Sequence, residues 1–434
     1  MSKYPLSYVR KDMEPERPAP ISANGPLHWM ATHLFSSVSN TILTMIGIYI
    51  IYLILHAIVP FAFLHAVWEG QDREACIVGD GAHGACWAYV GAYFNQFVYG
   101  RYPVEEYWRV NIVFAVGALG LIPALIPAIP FKRENVLFML IVFPVMTFIL
   151  LTGGNLSFED HVLTFVIIFA IVMALAALIT YATQGKMRPV LTTIGAIGVA
   201  IGVIYAIMSI DFGLMPVETA NWGGFLVTLV IAITGIVASL PLGIILALGR
   251  RSKMPVIRLV CIIFIEFWRG VPLITVLFMS SVVLPLFLPE GVNFDKLLRA
   301  LIGVALFSAA YMAEVVRGGL QAIPKGQYEG ADALGLTFWQ STGLIIMPQA
   351  LKLVIPGIVN TFIGLFKDTT LVLIIGLFDL LGQVQSSFTD PTWSTPVTSH
   401  TGYLFAAMVF WIFCFGMSRY SIFMENRLHT GHKR

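Results

Sequence analysis

Long apolar runs recur along this chain from residue 41 to residue 424. A helix of about 20 apolar residues crosses a bilayer, and a segment in lipid must satisfy its own backbone hydrogen bonds. The pattern therefore predicts an all-α, polytopic membrane protein with about ten transmembrane helices. The predicted spans are 41–66, 109–129, 134–152, 161–183, 189–209, 223–249, 256–286, 297–317, 353–377 and 402–424.

Composition agrees with this pattern. Of the 434 residues, 58% are hydrophobic and 12% are charged, about half the charged fraction of a typical soluble domain. The net charge of +2 gives no reason to expect a polyanionic partner, so nucleic-acid binding is not expected. Residues 1–26 are polar, and the first apolar run is too long for a cleavable signal. We expect this run to remain as a membrane anchor.

Basic residues predict the orientation, because cytoplasmic loops are enriched in Lys and Arg. Both termini and the loops after the even-numbered helices are expected to be cytoplasmic. The supporting residues are Lys3, Arg10, Lys11, Arg17, Lys132, Arg133, Lys186, Arg188, Arg250, Arg251, Lys253, Lys325, Lys352, Arg427, Lys433 and Arg434. The exceptions, in or beside predicted external loops, are Arg73, Arg101, Arg109 and Lys296.

Charge also divides the chain near Asn221. The first five predicted helices carry few charges, whereas the last five have Glu, Arg, Lys and Asp within apolar sequence. No convincing internal repeat supports an inverted-repeat transporter. The predicted regions are a cytoplasmic tail (1–40), five extra helices with an external loop at 67–108 (41–220), a second membrane region (221–425) and a short cytoplasmic tail (426–434).

The seventh span contains a charged pair followed by helix breakers. Glu266 and Arg269 are three residues apart, so they share a helix face and can pair. Gly270 and Pro272 follow, and proline interrupts a helix. Such a break is tolerated where it lines a cavity. Either it lies beside a translocation path, or it is a structural kink locked by an ion pair.

Two further places concentrate charge. Glu314 and Arg317 repeat the same spacing, and Gly318–Gly319 are predicted to end that helix; a simple capped helix end is the alternative. Lys367 and Asp368 are adjacent and face different directions on a helix. They need partners on other helices or water, which indicates a polar interior, unless they pair internally for packing alone.

The predicted cytoplasmic loop 321–352 contains a structured segment. Residues 324–335 indicate a short amphipathic helix that is begun by Pro324 and stopped by Gly335. Held between two membrane helices, such a helix offers a partner protein a surface through which to transmit motion. By itself, the pattern is also compatible with a helix that lies on the lipid surface.

Cysteine and histidine patterns give little chemistry. Cys76 and Cys86 share one predicted external loop, where they form a disulfide or remain two thiols. The nine His residues show no metal-ligand spacing, so no metal site is expected. A membrane-bound enzyme or scaffold would need a catalytic constellation that the sequence does not offer, and no catalytic residue is assigned.

The loop resembles the signature of ABC importer permeases, E-A-A, three residues, G, nine residues, I-x-L-P. Here Glu329-Gly330-Ala331 precedes Gly335 by three residues, and nine more lead to 345–348, which ends at Pro348. Gly330 replaces Ala and Met347 replaces Leu. The stretches 266–273, 310–319, 324–329 and 367–371 resemble the polar amino-acid branch. The long N-terminal extension is similar to a permease of the bacterial general L-amino acid transporter.

This resemblance implies that residues 221–425 form a type I ABC importer transmembrane domain. It implies a coupling helix, docked on a cytoplasmic ATPase dimer, at Glu329, Gly330, Ala331, Gly335 and Pro348. The other expected partners are a second homologous permease, with a heterodimer expected, a periplasmic amino-acid-binding protein and the inner-membrane bilayer. ATP and Mg would be used by the ATPase, since this chain has no G-x-x-x-x-G-K-[ST] run and is expected to bind no cofactor.

The alternative function is amino-acid transport driven by an ion gradient. The candidate residues of the translocation path or helix break are Glu266, Arg269, Gly270, Pro272, Glu314, Arg317, Lys367 and Asp368. We expect Gly335→Asp to abolish coupling while the protein still inserts, because a side chain there would strain the backbone or collide with the ATPase.

Overall fold

The computed structural model describes residues 25–77, 84–126, 128–154, 173–174, 188–287 and 294–428. These residues form helices joined by turns, with isolated β-bridges and no strand among them. The all-α, polytopic prediction is confirmed. Residues up to Trp87 and residues from Ala88 onward form two compact units.

Among its described residues, the first unit contains two longer helices, α1 (Pro26–His33) and α2 (Val38–Leu64), and a short 3₁₀ helix, Arg73–Cys76. Ser37 caps α2 by accepting a hydrogen bond from the Asn40 amide. Beyond α2, Cys76 and Cys86 form a disulfide with Cα atoms 5.7 Å apart. Their disulfide alternative is therefore the one that the structure contains.

The second unit contains fourteen helices among its described residues. They are α3 (Trp87–Tyr99, whose first residue belongs to the first unit), α4 (Val104–Leu125), α5 (Lys132–Thr152), α6 (Arg188–Met208), α7 (Gly224–Arg250), α8 (Pro255–Gly270), α9 (Leu273–Phe287), α10 (Lys296–Ala322), α11 (Lys325–Ala333), α12 (Phe338–Ser341), α13 (Met347–Leu353), α14 (Ile355–Ile375), α15 (Leu380–Ser386) and α16 (Thr398–Leu428).

Seven described helices are long and apolar enough to cross a membrane: α2, α4, α5, α7, α10, α14 and α16. The pair α8–α9 adds an eighth if it counts as one broken span. Helix α6 corresponds to the predicted span 189–209. The predicted span 161–183 lies outside the described residues except for positions 173 and 174.

Small residues allow the two central helices, α7 and α10, to approach closely. A Cβ atom added to Gly243 of α7 would lie 2.7 Å from Cγ of Met312 and 3.0 Å from the amide nitrogen of Ala313, both on α10. In membranes, close backbone packing at glycine is a main source of helix association. This contact fixes α10, which carries the charged side chains described below.

Helix α10 does not end at Gly318–Gly319, and that prediction is wrong. The helix continues to Ala322, and Ile323 is extended with ψ 125° before Pro324. A residue before proline is disfavoured in the helical region, which explains the stop. Gly319 serves packing instead, because a Cβ atom there would lie 2.6 Å from the carbonyl oxygen of Ala350 on α13.

The predicted external loop 67–108 contains α3, a helix that the sequence analysis did not predict. Tyr89 and Phe97 of α3 are fully buried. Tyr93 donates a hydrogen bond to Asp390, and Gln96 Nε2 donates to Gln383 Oε1 at 3.2 Å. Helix α3 therefore packs against α15 and against residues 387–390, which follow it.

Asp379 starts α15 and is fully buried. Its carboxylate accepts hydrogen bonds from the amides of Gly382 at 2.9 Å and Leu381 at 3.3 Å. Burial raises the pKa of Asp379 to about 6, against a smaller lowering by these amide donors. Asp379 therefore caps the N-terminus of α15, and the pKa of its carboxyl group is raised.

The boundary predicted at residue 220 does not coincide with the boundary between the compact units, which lies between Trp87 and Ala88. Residues 88–220 belong to the same compact unit as the region beyond 220. The compact units reflect packing alone and do not test the division drawn from the sequence. The four predicted regions therefore stay a prediction.

Candidate functional site

The predicted coupling helix is present as α11. It begins after Pro324, and its end is set by Gly335, which has φ +71°. The Gly335 amide donates to the Asp332 carbonyl at 2.9 Å, and the Leu336 amide donates to the Ala331 carbonyl at 3.2 Å. This is the glycine-terminated Schellman arrangement, which a residue with a Cβ atom adopts only with strain.

One face of α11 is open. Glu329 and Gly330 are exposed, whereas Ala331 is 1% exposed and faces inward. A Cβ atom on Gly330 would meet nothing within 4 Å. Among the described residues, no hydrogen bond or ion pair involves the Glu329 carboxylate. The outward face therefore offers a small surface and a carboxylate to a partner.

Tyr328 ties α11 to the ends of two membrane helices. Its hydroxyl donates to the Leu320 carbonyl of α10 at 3.1 Å and accepts from Arg251 Nη1 at 3.0 Å. Arg251 follows α7, and its guanidinium also lies over the Tyr328 ring, 5.4 Å from the centroid. Tyr328 therefore links α11 directly to the ends of α7 and α10.

The second half of the loop supports α11. Helix α12 starts with a capping box between Thr337 and Gln340, and a π-turn (Thr342–Ile346) leads into α13. Pro348 is exposed in the first turn of α13, where proline is tolerated. Gln349 Nε2 donates to Gln327 Oε1 of α11 at 3.0 Å. The loop is therefore a folded unit.

A cluster of charged residues lies where α7, α8 and α10 meet. Glu314 Oε1 is 2.6 Å from Arg250 Nη1, and Glu314 Oε2 is 2.7 Å from Arg317 Nη2 and 3.7 Å from Arg269 Nη1. Arg250 Nη1 is also 2.9 Å from Glu266 Oε1. Glu314, which is 16% exposed, thus joins three helices through three arginines.

The pairing differs from the spacing-based expectation in one respect. Glu314 and Arg317 pair within α10 as predicted, but Glu266 pairs with Arg250 of α7. Arg269 instead reaches Glu314 and lies over the Tyr311 ring. The sequence analysis used Arg250 for topology alone. Its position at a helix end beside two charged helices was the available signal for its role in the cluster.

The span is broken at the place where Gly270 and Pro272 predict a break. Helices α8 and α9 meet at 101°. Val271 is extended with φ −108° and ψ 132°, as the residue before a proline prefers. A Cβ atom on Gly270 would meet nothing within 4 Å, so Pro272 accounts for the break. Whether it lines a translocation path stays a prediction.

Lys367 and Asp368 lie at the end of the α-helical part of α14. Lys367 is exposed and Asp368 is partly buried. Neither belongs to an ion pair among the described residues. The structure therefore does not join them to the charged cluster, and the polar interior that they predict remains a prediction.

Comparison with known proteins places this arrangement in a family. The family described as "Binding-protein-dependent transport system inner membrane component" matches residues 239–429. The chain is 44% identical to an inner membrane amino-acid ABC transporter permease, YhdY of Escherichia coli, over 96% of this chain and 97% of the relative. It is 45% identical to the glutamate/glutamine/aspartate/asparagine transport system permease BztC of Rhodobacter capsulatus, over 98% and 99%.

A shorter relative matches only the second half. A probable glutamine ABC transporter permease, GlnP of Bacillus subtilis, is 37% identical over 38% of this chain and 74% of the relative. The full-length matches show more than this shared half, since they include the N-terminal helices. The chain belongs to the multi-pass inner-membrane permeases of binding-protein-dependent ABC importers, in the amino-acid group.

Proposed function

We propose that this chain receives L-amino acids from a periplasmic binding protein and passes them inward when a partner ATPase moves α11. The observation that carries the proposal is the connection from the open face of α11, through Tyr328 and Arg251, to the ends of α7 and α10. Arg250, next to Arg251, contacts Glu314 of the charged cluster. A push on α11 therefore acts on the junction of three helices.

The proposed substrates are L-amino acids over a broad range. Full-length similarity to a permease named for glutamate, glutamine, aspartate and asparagine supports including these four. The proposed partners are a cytoplasmic ATPase dimer that uses ATP and Mg, the binding protein and a second homologous permease in a heterodimer. Both termini are proposed to be cytoplasmic. This chain would bind no cofactor and carry no hydrolytic chemistry.

Uptake of labelled L-amino acids in cells that lack this gene tests the proposal. Wild type is expected to restore broad, ATP-dependent uptake, and Gly335→Asp to lose it at a normal level of membrane insertion. The matched control is Gly213→Asp, because Gly213 has φ +67°, open surroundings and a place in a predicted external loop. It carries the same backbone strain without touching the ATPase.

Either of two results would contradict coupling through α11. Equal loss in both variants would assign the effect to backbone strain alone. Normal uptake by Gly335→Asp would remove the docking role. Uptake that survives ATP depletion while the ion gradient is held would favour the gradient-driven transporter instead.

A further inference from the structure

A basic cleft lies at the junction of α7, α8 and α10, on the side where α11 is attached. It has a volume of about 390 Å³ and is lined by Arg250, Arg251, Arg258, Ile262, Arg317 and Gln321. No acidic residue is among these lining residues. Four arginines around one open cleft form a strong anion-binding surface, since each guanidinium presents several N–H donors.

The cluster next to the cleft does not cancel this charge. Five arginines, the four lining ones and Arg269, stand against two glutamates, Glu266 and Glu314. The ion pairs engage Arg250 and Arg317, while Arg251 is turned partly toward Tyr328. The cleft and the cluster together therefore carry an excess of three positive charges.

Arg258 is the free member of the cleft. It is exposed, and within the described ranges its side chain has no hydrogen bond, ion pair or ring contact. It lies in the first turn of α8, which has no acidic side chain and no side-chain cap. The partial positive charge of a helix N-terminus adds to that of Arg258.

An apolar stripe on the same helix adjoins the basic cleft. Its members are spaced as one helical face and are each more than half exposed. They are Val256, Leu259, Val260, Ile263 and Phe267. Arg258 and Ile262 lie beside this stripe and face the cleft. One surface therefore combines a basic cleft with an exposed apolar face of α8. In the predicted orientation, this face extends from the cytoplasmic side into the membrane.

We propose that this surface binds an anionic phospholipid of the cytoplasmic leaflet, with its phosphate in the cleft and an acyl chain along the stripe. A free anion would use the cleft alone, and an acidic protein surface would leave the stripe at membrane depth uncovered. Basic pockets between transmembrane helices on the cytoplasmic side suit lipid headgroups. The proposal rests on the predicted orientation and on no particular transported substrate.

The test measures lipid binding by the purified full-length chain in a neutral detergent. Phosphatidylglycerol and phosphatidylcholine with identical acyl chains are titrated separately, and native mass spectrometry gives the lipid-bound fraction. Phosphatidylglycerol is expected to bind at least about tenfold more tightly. Arg258→Gln should weaken its binding about tenfold, because a charge-assisted hydrogen bond is lost. The control Arg427→Gln, an exposed arginine outside the cleft, should change nothing.

Three results would overturn the proposal. Equal binding of the two lipids would leave the apolar stripe alone as the cause. Competition by inorganic phosphate at the same concentration as the lipid would indicate a free-anion site. Unchanged phosphatidylglycerol binding in Arg258→Gln would exclude the cleft, and if Arg258→Glu then prevented copurification of the ATPase, the cleft would be a protein contact. Transport activity enters none of these readouts, so failure here leaves the proposed function untouched.

Discussion

At the residue scale, two glycines of the loop 321–352 differ in their backbone conformation and surroundings. Gly335 and Gly330 belong to one signature, yet the first needs its left-handed φ and the second has open space around it. The signature therefore combines two physical features, a sharp helix end and an uncovered outward face. The sequence spacing located both residues, but their different physical roles depend on the folded structure.

Asp379 gives a prediction at this scale. Its pKa is about 6 in the folded protein, above the usual value near 3.8, because burial disfavours the charged form. The folded state thus holds the proton longer, so this group lowers the free energy of unfolding as pH rises from about 4 to about 6. The full effect is roughly 3 kcal/mol. Thermal unfolding across this pH range should show a smaller decline in Asp379→Asn than in wild type.

The comparison of the two slopes is decisive because other carboxyl groups titrate equally in both proteins. Parallel pH profiles for wild type and Asp379→Asn would contradict the raised pKa. The same profiles above pH 7, where Asp379 is ionised in both states, should run parallel and serve as the internal control.

At the scale of elements, the apolar pattern predicted the helices well and their terminations less well. Proline effects were predictable where a break was expected, as at Pro272, since they act on the neighbouring backbone. The helix end predicted at Gly318–Gly319 was wrong, because a glycine pair permits a helix to end without requiring it. The packing of Gly319 against α13 depends on contacts made by a distant segment, and no local sequence pattern predicts such contacts.

Helix α3 is a helix that the apolar pattern did not predict. Tyr89, Tyr93 and Phe97 recur every four residues, which is a helical signal in a region too short and polar to cross a membrane. Spacing alone did not predict the partner of Glu266 either, since spacing reveals pairs on one helix and the ion pair with Arg250 joins two helices.

The adjacent glycines of α10 provide a prediction at this scale. Gly319→Ala should destabilise the protein by about 1–3 kcal/mol, because its Cβ atom would lie 2.6 Å from the Ala350 carbonyl oxygen and 2.9 Å from Val354 Cγ1. Gly318→Ala, whose Cβ atom meets nothing within 4 Å, should be neutral or stabilising by up to about 1 kcal/mol. Thermal unfolding of both purified variants checks the difference. Equal melting temperatures would show that α10 and α13 separate easily.

At the scale of the whole molecule, the charged cluster joins α7, α8 and α10 close to the place where Arg251 contacts α11. Glu314 holds three arginines, whereas Glu266, 54% exposed, holds one. Removing the Glu314 charge leaves the partly buried Arg250 and Arg317, and the more exposed Arg269, without their common partner. The cost of such a loss greatly exceeds that of an exposed pair.

Glu314→Gln should therefore lower the free energy of unfolding by about 3 kcal/mol and reduce ATP-driven uptake strongly. The matched change Glu266→Gln should cost less than about 1 kcal/mol and leave most uptake intact. Denaturation of the purified proteins and uptake in complemented cells measure the two effects. If both variants behaved alike, Glu314 would have no central role in the junction.

The packing of α3 has a consequence for how the protein is made. Tyr89 meets Ser387, which lies 298 positions later in the chain. At ribosomal rates of about 5–20 residues per second, that interval takes roughly 15–60 s. During this time the aromatic face of α3 is finished but its receiving surface does not yet exist. Helix α3 therefore stays without its contact to Ser387 while most of the membrane helices are inserted. It can form this contact only near the end of translation.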